Sequence, residues 1–285
     1  LSAGPLVMTQ ASLVSAPPWG RRRVLPGLGL SLGFTVFYLS VIVLIPMAAL
    51  FIRAFEPGLD GLWRAIATPR VAAALKLSFG MAALAAVIDS IFGFVIAWVL
   101  VRDRWPGRRG RGAVIDLPFA LPTAVAGIAL STLYAPNGWL GMPLAEHGIR
   151  VAYTPWGVLV AMTFIGLPFT VRTLEPVLGE FGRDLEEAAA TLGATRLQTI
   201  RKVILPLLAP AILTGGAMAF ARAVGEYGSI IFIAGNLPAI SEIAPLLIVT
   251  KLEQYDYAGA AAIGATMLIA AFAVLLALNG LQIWM

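Results

Sequence analysis

Between Val24 and Ile52 the chain carries no charged residue, and the part from Gly33 to Phe51 is by itself long enough to cross a bilayer as a helix. About 20 apolar residues at about 1.5 Å each span a hydrocarbon core of about 30 Å. Basic residues bracket the stretch, Arg21, Arg22 and Arg23 before it and Arg53 after it. Five further apolar blocks follow, at Val71 to Val101, about Ala113 to Tyr134, about Trp156 to Val171, Leu207 to Ala234, and about Ala258 to Met285. The expected fold is all-α, a polytopic membrane protein with six transmembrane helices. Composition agrees: 59% hydrophobic against 12% charged residues is more apolar surface than a water-soluble domain can cover. With no cysteine and a single histidine, His147, disulfides, thiolate metal sites, iron–sulfur clusters and bis-histidine haem have no ligands here. No nucleophile elbow or metal-ligand cluster marks a membrane enzyme.

The net charge of +5 does not point to nucleic acid, because the basic residues gather at the ends of apolar stretches. They read as topology signals. One set of alternating connections holds Arg21 to Arg23, Arg102, Arg104, Arg108, Arg109, Arg111, Arg183, Arg196, Arg201 and Lys202. The other holds only Arg53, Arg64, Arg70, Arg150 and Lys251. The excess places the first set, and both termini, in the cytoplasm. Trp139, Tyr153 and Trp156 then fall at the outer interface and Trp105 at the inner one, where amphipathic rings anchor. Residues 1–20 read as a mobile tail, because their weak apolar part precedes its basic triplet, the reverse of a secretory signal. Residues 21–285 read as one transmembrane domain. Since the chain stops in apolar sequence, a C-terminal tail beyond Met285 is expected.

The polar segment 183–206 carries the functional signal. Leu185, Ala188, Ala189 and Leu192 recur at helical spacing, which puts one apolar stripe on a short helix, with Glu187 on roughly the opposite side. Gly193 ends that helix. Thr195 with Gln198 forms a capping-box pattern for a second, whose apolar side is Leu197, Ile200 and Ile204, and Pro206 either ends it or opens the fifth span. Such a helix pair can lie in another protein's groove, or rest on headgroups. A DNA-reading helix-turn-helix fits poorly, because the first helix is acidic and both ends are tied to the bilayer.

Glu187-Ala188-Ala189, then Gly193, then Val203 and Leu205-Pro206, resembles the EAA loop of ABC importer permeases, with Val203 for the usual Ile. The resemblance implies a type I importer fold, and coupling helices that insert into a cleft on an ATP-binding subunit. DLPFALPTAVAG from Asp116, PFTVRTLEPVL from Pro168, EEAAATLGATR from Glu186 and GEYGSIIFIAGN from Gly225 are similar to the T-type permease subunit of bacterial sulfate and thiosulfate importers. That resemblance implies a W-type permease partner, an ABC ATPase dimer, an extracytoplasmic sulfate-binding protein, a place in the bacterial inner membrane, and sulfate or thiosulfate as cargo. A molybdate, tungstate or other oxyanion permease is the alternative, and an ATP-independent transporter or channel a further one. WPGRRGRG from Trp105 is more basic than that branch's pattern.

An ATP-binding loop ends in Lys followed by Ser or Thr, whereas Lys76, Lys202 and Lys251 precede Leu77, Val203 and Leu252. ATP and Mg2+ therefore belong to a partner, and the chain is expected to be a transport subunit, not an enzyme, with no cofactor or metal of its own. Ionisable residues within spans are candidates for the substrate path. Arg222 and Glu226, four apart, can pair along a helix or serve a gate, and an arginine fork suits an oxyanion. Asp116 precedes Pro118 and Pro122, whose spacing bends a helix beside a path, with Thr123 next in the same stretch. Asp89, deep in the second span, reads as a buried residue hydrogen-bonded to a neighbouring helix.

Overall fold

A computed structural model describes residues 28–102 and 108–284. The tail 1–20, the triplet Arg21 to Arg23, Arg104 and Trp105 lie outside the described residues. The described residues are helical or irregular, with no strand among them. They fall into two compact units, one ending at Ala48 and the other beginning at Ala49.

The first apolar helix comprises α1 (Leu28–Leu39), a π turn (Ser40–Leu44) and α2 (Ile45–Phe55). Its side chains through Leu44 are almost all exposed, as a helix bathed in lipid would be. The amphipathic α3 (Gly58–Ile66) leads to α4 (Pro69–Arg102), the second span. The third apolar block is not one helix. It is broken into α5 (Arg108–Ile115), α6 (Leu117–Ala120) and α7 (Thr123–Tyr134). Pro118 lies in the first turn of α6, where its missing N–H costs nothing, so the bend falls instead at Leu121 and Pro122, both extended (ψ 134 and 133).

A short α8 (Gly141–Glu146) precedes α9 (Pro155–Glu180), the fourth span, which Thr154 caps by accepting the Trp156 N–H. The helix runs nine residues past the sequence-based end at Val171, because Arg172 and Glu175 pair with one another and need not leave the helix. After α10 (Asp184–Thr191) comes α11 (Arg196–Thr199), a π turn (Ile200–Ile204) and α12 (Leu205–Val224). These last three run as one 29-residue helix, so Pro206 does not end the second helix of the pair; it lies in the first turn of α12, the fifth span, which continues that helix. A π turn just ahead of Pro206 re-spaces the backbone bonds that the proline cannot make. The fifth span stops at Val224, ten residues before the expected Ala234, where Gly225 leaves the helix. The loop beyond holds α13 (Ile230–Ile233) and α14 (Ala244–Glu253), and α15 (Tyr257–Trp284) is the last span. Among the described residues five helices are thus long and apolar enough to cross a membrane, and α7 is a shorter apolar helix.

The core of the second unit is the mutual packing of α4, α9 and α12 through small residues. Ala82, Ala85, Ala97, Ala161 and Ala219 are fully buried. Gly93 and Gly215 press against Thr170 from either side, where an added Cβ would meet the threonine at 2.7 and 3.0 Å. Small residues let backbones approach closely where lipid offers no hydrophobic drive for helix association. Trp139, Tyr153 and Trp156 are exposed, as expected for interfacial anchors.

Candidate functional site

The 183–206 segment folds as its local chemistry requires. Asp184, Glu186 and Glu187 fill the first turn of α10, favourable for the helix dipole. Gly193 turns the chain with φ +79, a value that disfavours side chains, and the Gly193 and Ala194 N–H groups donate back to Ala190 and Ala189. The capping box is complete: Thr195 Oγ1 accepts from Gln198 N–H, and Gln198 Oε1 accepts from Thr195 N–H at 2.8 Å.

Of the two apolar stripes only the leucines face outward, and Ile204 of the second is buried in the core. Leu192 is 87% exposed and Leu197 60%, while Ala189 is buried and Leu185 lies at the edge of exposure. Leu185, Ala188, Ala189, Gly193 and Val203 line an open hollow of about 570 Å3. Glu187 lies on the other side, in a hollow of about 590 Å3 with Trp98, Arg102, Arg183, Glu186 and Arg196. Leu205 is half-buried and Pro206 exposed at the base of α12.

What anchors the segment is a residue that sequence reading treats only as a topology signal. Arg102, the last residue of α4, lies 2.8 Å from Glu186 Oε1, a charge contact outside hydrogen-bond alignment. Its Nη2 donates to the Phe181 carbonyl at 2.9 Å, and its guanidinium rests over the Trp98 ring at 5.6 Å. Arg183 Nη2 donates in turn to the Arg102 carbonyl at 2.8 Å. The second span is therefore clasped to a segment whose covalent ties run to the fourth and fifth.

The intramembrane candidates separate into two groups. Arg222 and Glu226 pair at 2.6 Å, although Glu226 lies past the end of α12. The Glu226 carboxylate is almost fully buried, and its Oε1 also accepts from Ser229 N–H at 2.9 Å and Ser229 Oγ at 3.0 Å. Thr123 joins this group, since its Oγ1 abuts Gly228, and Gly127 abuts the Ser229 backbone. Gly225 faces open space.

Asp116 and Pro118 lie apart from that group on the other piece of the broken third span, and Pro122 sits at the break, next to Thr123. Arg172, absent from the sequence candidates, meets Asp116 there with two donors, Nε to Oδ1 at 2.8 Å and Nη2 to Oδ2. Glu175 takes a third donor at 2.7 Å. The signal that could have found Arg172 is its i, i+3 spacing to Glu175 just beyond an apolar run. Asp89 is fully buried, but the expected hydrogen bond to a neighbouring helix is absent: its carboxylate faces Gly166, which has no side chain to offer. Among the described residues no group of three or more His, Asp or Glu could hold a metal.

Residues 89–284 match the family model described as binding-protein-dependent transport system inner membrane component. The sulfate transport system permease protein CysT of Salmonella typhimurium is 46% identical over 92% of this chain and 94% of its own. The protein of that name in Synechococcus elongatus is 48% identical over 88% and 90%. A solved bacterial ABC transporter involved in the import of the acidic polysaccharide alginate superposes with a TM-score of 0.74 at 18% identity, over 90% of this chain and 94% of that one. This last likeness is one of fold.

Proposed function

This chain belongs to the family of binding-protein-dependent transport system inner membrane components, and we propose that it forms half of the pore of an ATP-driven importer that carries sulfate into the cytoplasm. The observation that carries the proposal is the exposed helix pair of residues 184–199, whose outward leucines and two flanking hollows suit insertion into a partner's cleft. An ABC ATPase dimer, which would bind ATP and Mg2+, is the partner that fits. The helix pair would then mark the cytoplasmic side, in keeping with the excess of Lys and Arg in that set of connections. Sulfate as cargo is supported by sulfate permease relatives covering most of this chain.

The mechanism is alternating access. An extracytoplasmic binding protein delivers the dianion at the outer end, and ATP closes the ATPase dimer. The motion enters through Glu187, Ala188, Ala189, Gly193, Val203, Leu205 and Pro206. From there the covalent links carry it to α9 and α12, and the Arg102–Glu186 clasp carries it to α4. A second, W-type permease completes the pore, and thiosulfate is a second cargo of the same geometry and charge. Arg222, Glu226 and Thr123 are assigned to the outer part of the path, and Asp116, Pro118 and Pro122 to the inner part.

Reconstitution in liposomes with these partners, followed by radiolabelled sulfate uptake with and without ATP, tests the proposal. ATP-dependent sulfate uptake is expected. Uptake of molybdate but not sulfate would reject the cargo, and uptake by this chain alone without ATP would reject the importer.

A further inference from the structure

The broken third span consists of two pieces that pack against different parts of the second unit. α7 is fixed by backbone contact: Ala126 and Gly127 are buried, and a Cβ on Gly127 would strike the Ser229 carbonyl and Cα. Its register is therefore set by the loop before α13. The other piece, residues 112–121, has little of this. Val114 is 70% exposed, and Leu117 and Phe119 are exposed as well. Ile115 packs against the buried cluster of Leu174 and Leu178, and the Phe119 ring meets Phe169 edge-on at 5.0 Å. Among the described residues the remaining hold is polar and comes from one side chain. Arg172 donates to both oxygens of Asp116 and reaches the Gly112 carbonyl at 3.4 Å.

Two details suggest that this hold is meant to open. Extended Leu121 and Pro122 interrupt the helical bonding between the pieces, and hinges are a few such residues that absorb a dihedral change. Next, the Arg172 and Asp116 side chains are 39% and 42% exposed, so the clamp is no sealed core contact. Charged groups within a span avoid lipid, so an exposed clamp of this kind would face water or protein. An ion pair of this exposure is worth about 1 kcal/mol or less, small enough to be made and broken within a transport cycle.

We infer that residues 112–121 form a hinged arm turning about Leu121 and Pro122, and that Arg172 is the positioning residue whose grip on Asp116 and Gly112 holds the arm against α9 in one half of the transport cycle and releases it in the other. This rests on the importer reading given above. The arm lies beside the clasped end of α4 and α9, so its release belongs to the inner side of the path.

This chain contains no cysteine, which allows a direct test in the reconstituted transporter once its partner subunits are also made cysteine-free. The pair Phe119→Cys and Phe169→Cys, bridged by a short reducible bis-thiosulfonate, locks the arm onto α9. ATP-driven sulfate uptake should fall about tenfold on bridging and return on reduction, as expected when a gating motion is blocked. Undiminished uptake by the bridged protein would overturn the inference. A second readout needs no bridge: a lone cysteine from Leu117→Cys should react with a maleimide at least about threefold faster or slower when ATP is added to the complex. The change in rate should shrink in the Arg172→Gln background and return with Arg172→Lys. A labelling rate that ATP leaves unchanged would sink the hinged arm. Loss of uptake in the unsubstituted complex would instead reject the importer reading.

Discussion

Replacing Glu226 by alanine removes three interactions at once, and the structure sets the size of the effect. The carboxylate neutralises Arg222 at 2.6 Å and accepts from the Ser229 N–H and hydroxyl, and Ser229 is fully buried. A buried donor left without a partner costs about 1–3 kcal/mol, and breaking a buried pair by removing one member costs about 3–5 kcal/mol. Arg222 is a third exposed, so water softens its loss, and the lower end of that range applies, about 3 kcal/mol. Glu226→Gln keeps the Oε1 acceptor for Ser229 but sets an amide NH2, a donor, where Oε2 accepts from Arg222, so the ion pair alone is lost, which should cost about 1–2 kcal/mol. Thermal unfolding of the detergent-solubilised transporter reads the difference. At about 2–4 °C per kcal/mol, Glu226→Ala should lower the midpoint by about 6–12 °C and Glu226→Gln by about one third to two thirds as much. Equal shifts for the two variants would refute the claim that Ser229 depends on this carboxylate. A shift below about 2 °C for alanine would refute the account of the buried pair as a whole.

Three further outcomes follow from the same geometry. Glu187→Arg adds a fourth arginine to the hollow lined by Arg102, Arg183 and Arg196, and should cut ATP-driven sulfate uptake about tenfold or more while membrane insertion, read by fractionation, is unchanged. Gly166→Ala drives a methyl group into the Asp89 carboxylate in the tight contact of α4 and α9 and should lower the unfolding temperature, with Asp89→Ala restoring part of the loss. In the loop before α15, the Lys251 ammonium first, and then the Gly259 N–H, hold the Asp256 carboxyl below the usual aspartate range. Because its folded value is the lower one, Asp256 contributes stability in full above about pH 4 and loses it as pH falls through that lower value. Asp256→Asn should flatten the acid limb of a pH and melting-temperature profile, and an unaltered limb would contradict the assignment.

What the sequence reveals and what it hides divides along physical lines. Five spans were legible because apolar length is a sufficient cause for a membrane helix. The helix pair of residues 184–199 was legible because a glycine with φ +79 and a Thr195–Gln198 capping box act within a few residues. The third span misled, since Pro118 and Pro122 announce irregularity without saying which will break the helix. Position decides: Pro118 opens α6, while Pro122 follows an extended Leu121. Contacts distant in sequence were not legible at all. Nothing in PFTVRTLEPVL says that Arg172 reaches 56 residues back to Asp116, nor does the first turn of α4 reveal that Arg70 grips Glu242 at 2.7 Å.

These distant contacts share one design. The three helices that pack through glycine and alanine, α4, α9 and α12, cannot slide without clashes at Gly93, Gly166 and Gly215. Each piece around them is fastened by charge. Arg172 holds the arm, Arg102 holds α10, Arg70 holds the loop before α14, and Lys251 holds the turn into α15. Close packing resists continuous deformation, whereas the more exposed of these pairs, Arg172–Asp116 and Lys251–Asp256, are each worth about 1 kcal/mol or less and can be exchanged one at a time. A transporter built this way moves its fastened pieces against an unyielding centre. High salt, which weakens exposed pairs and leaves packing intact, should therefore slow transport at concentrations well below those that unfold the chain.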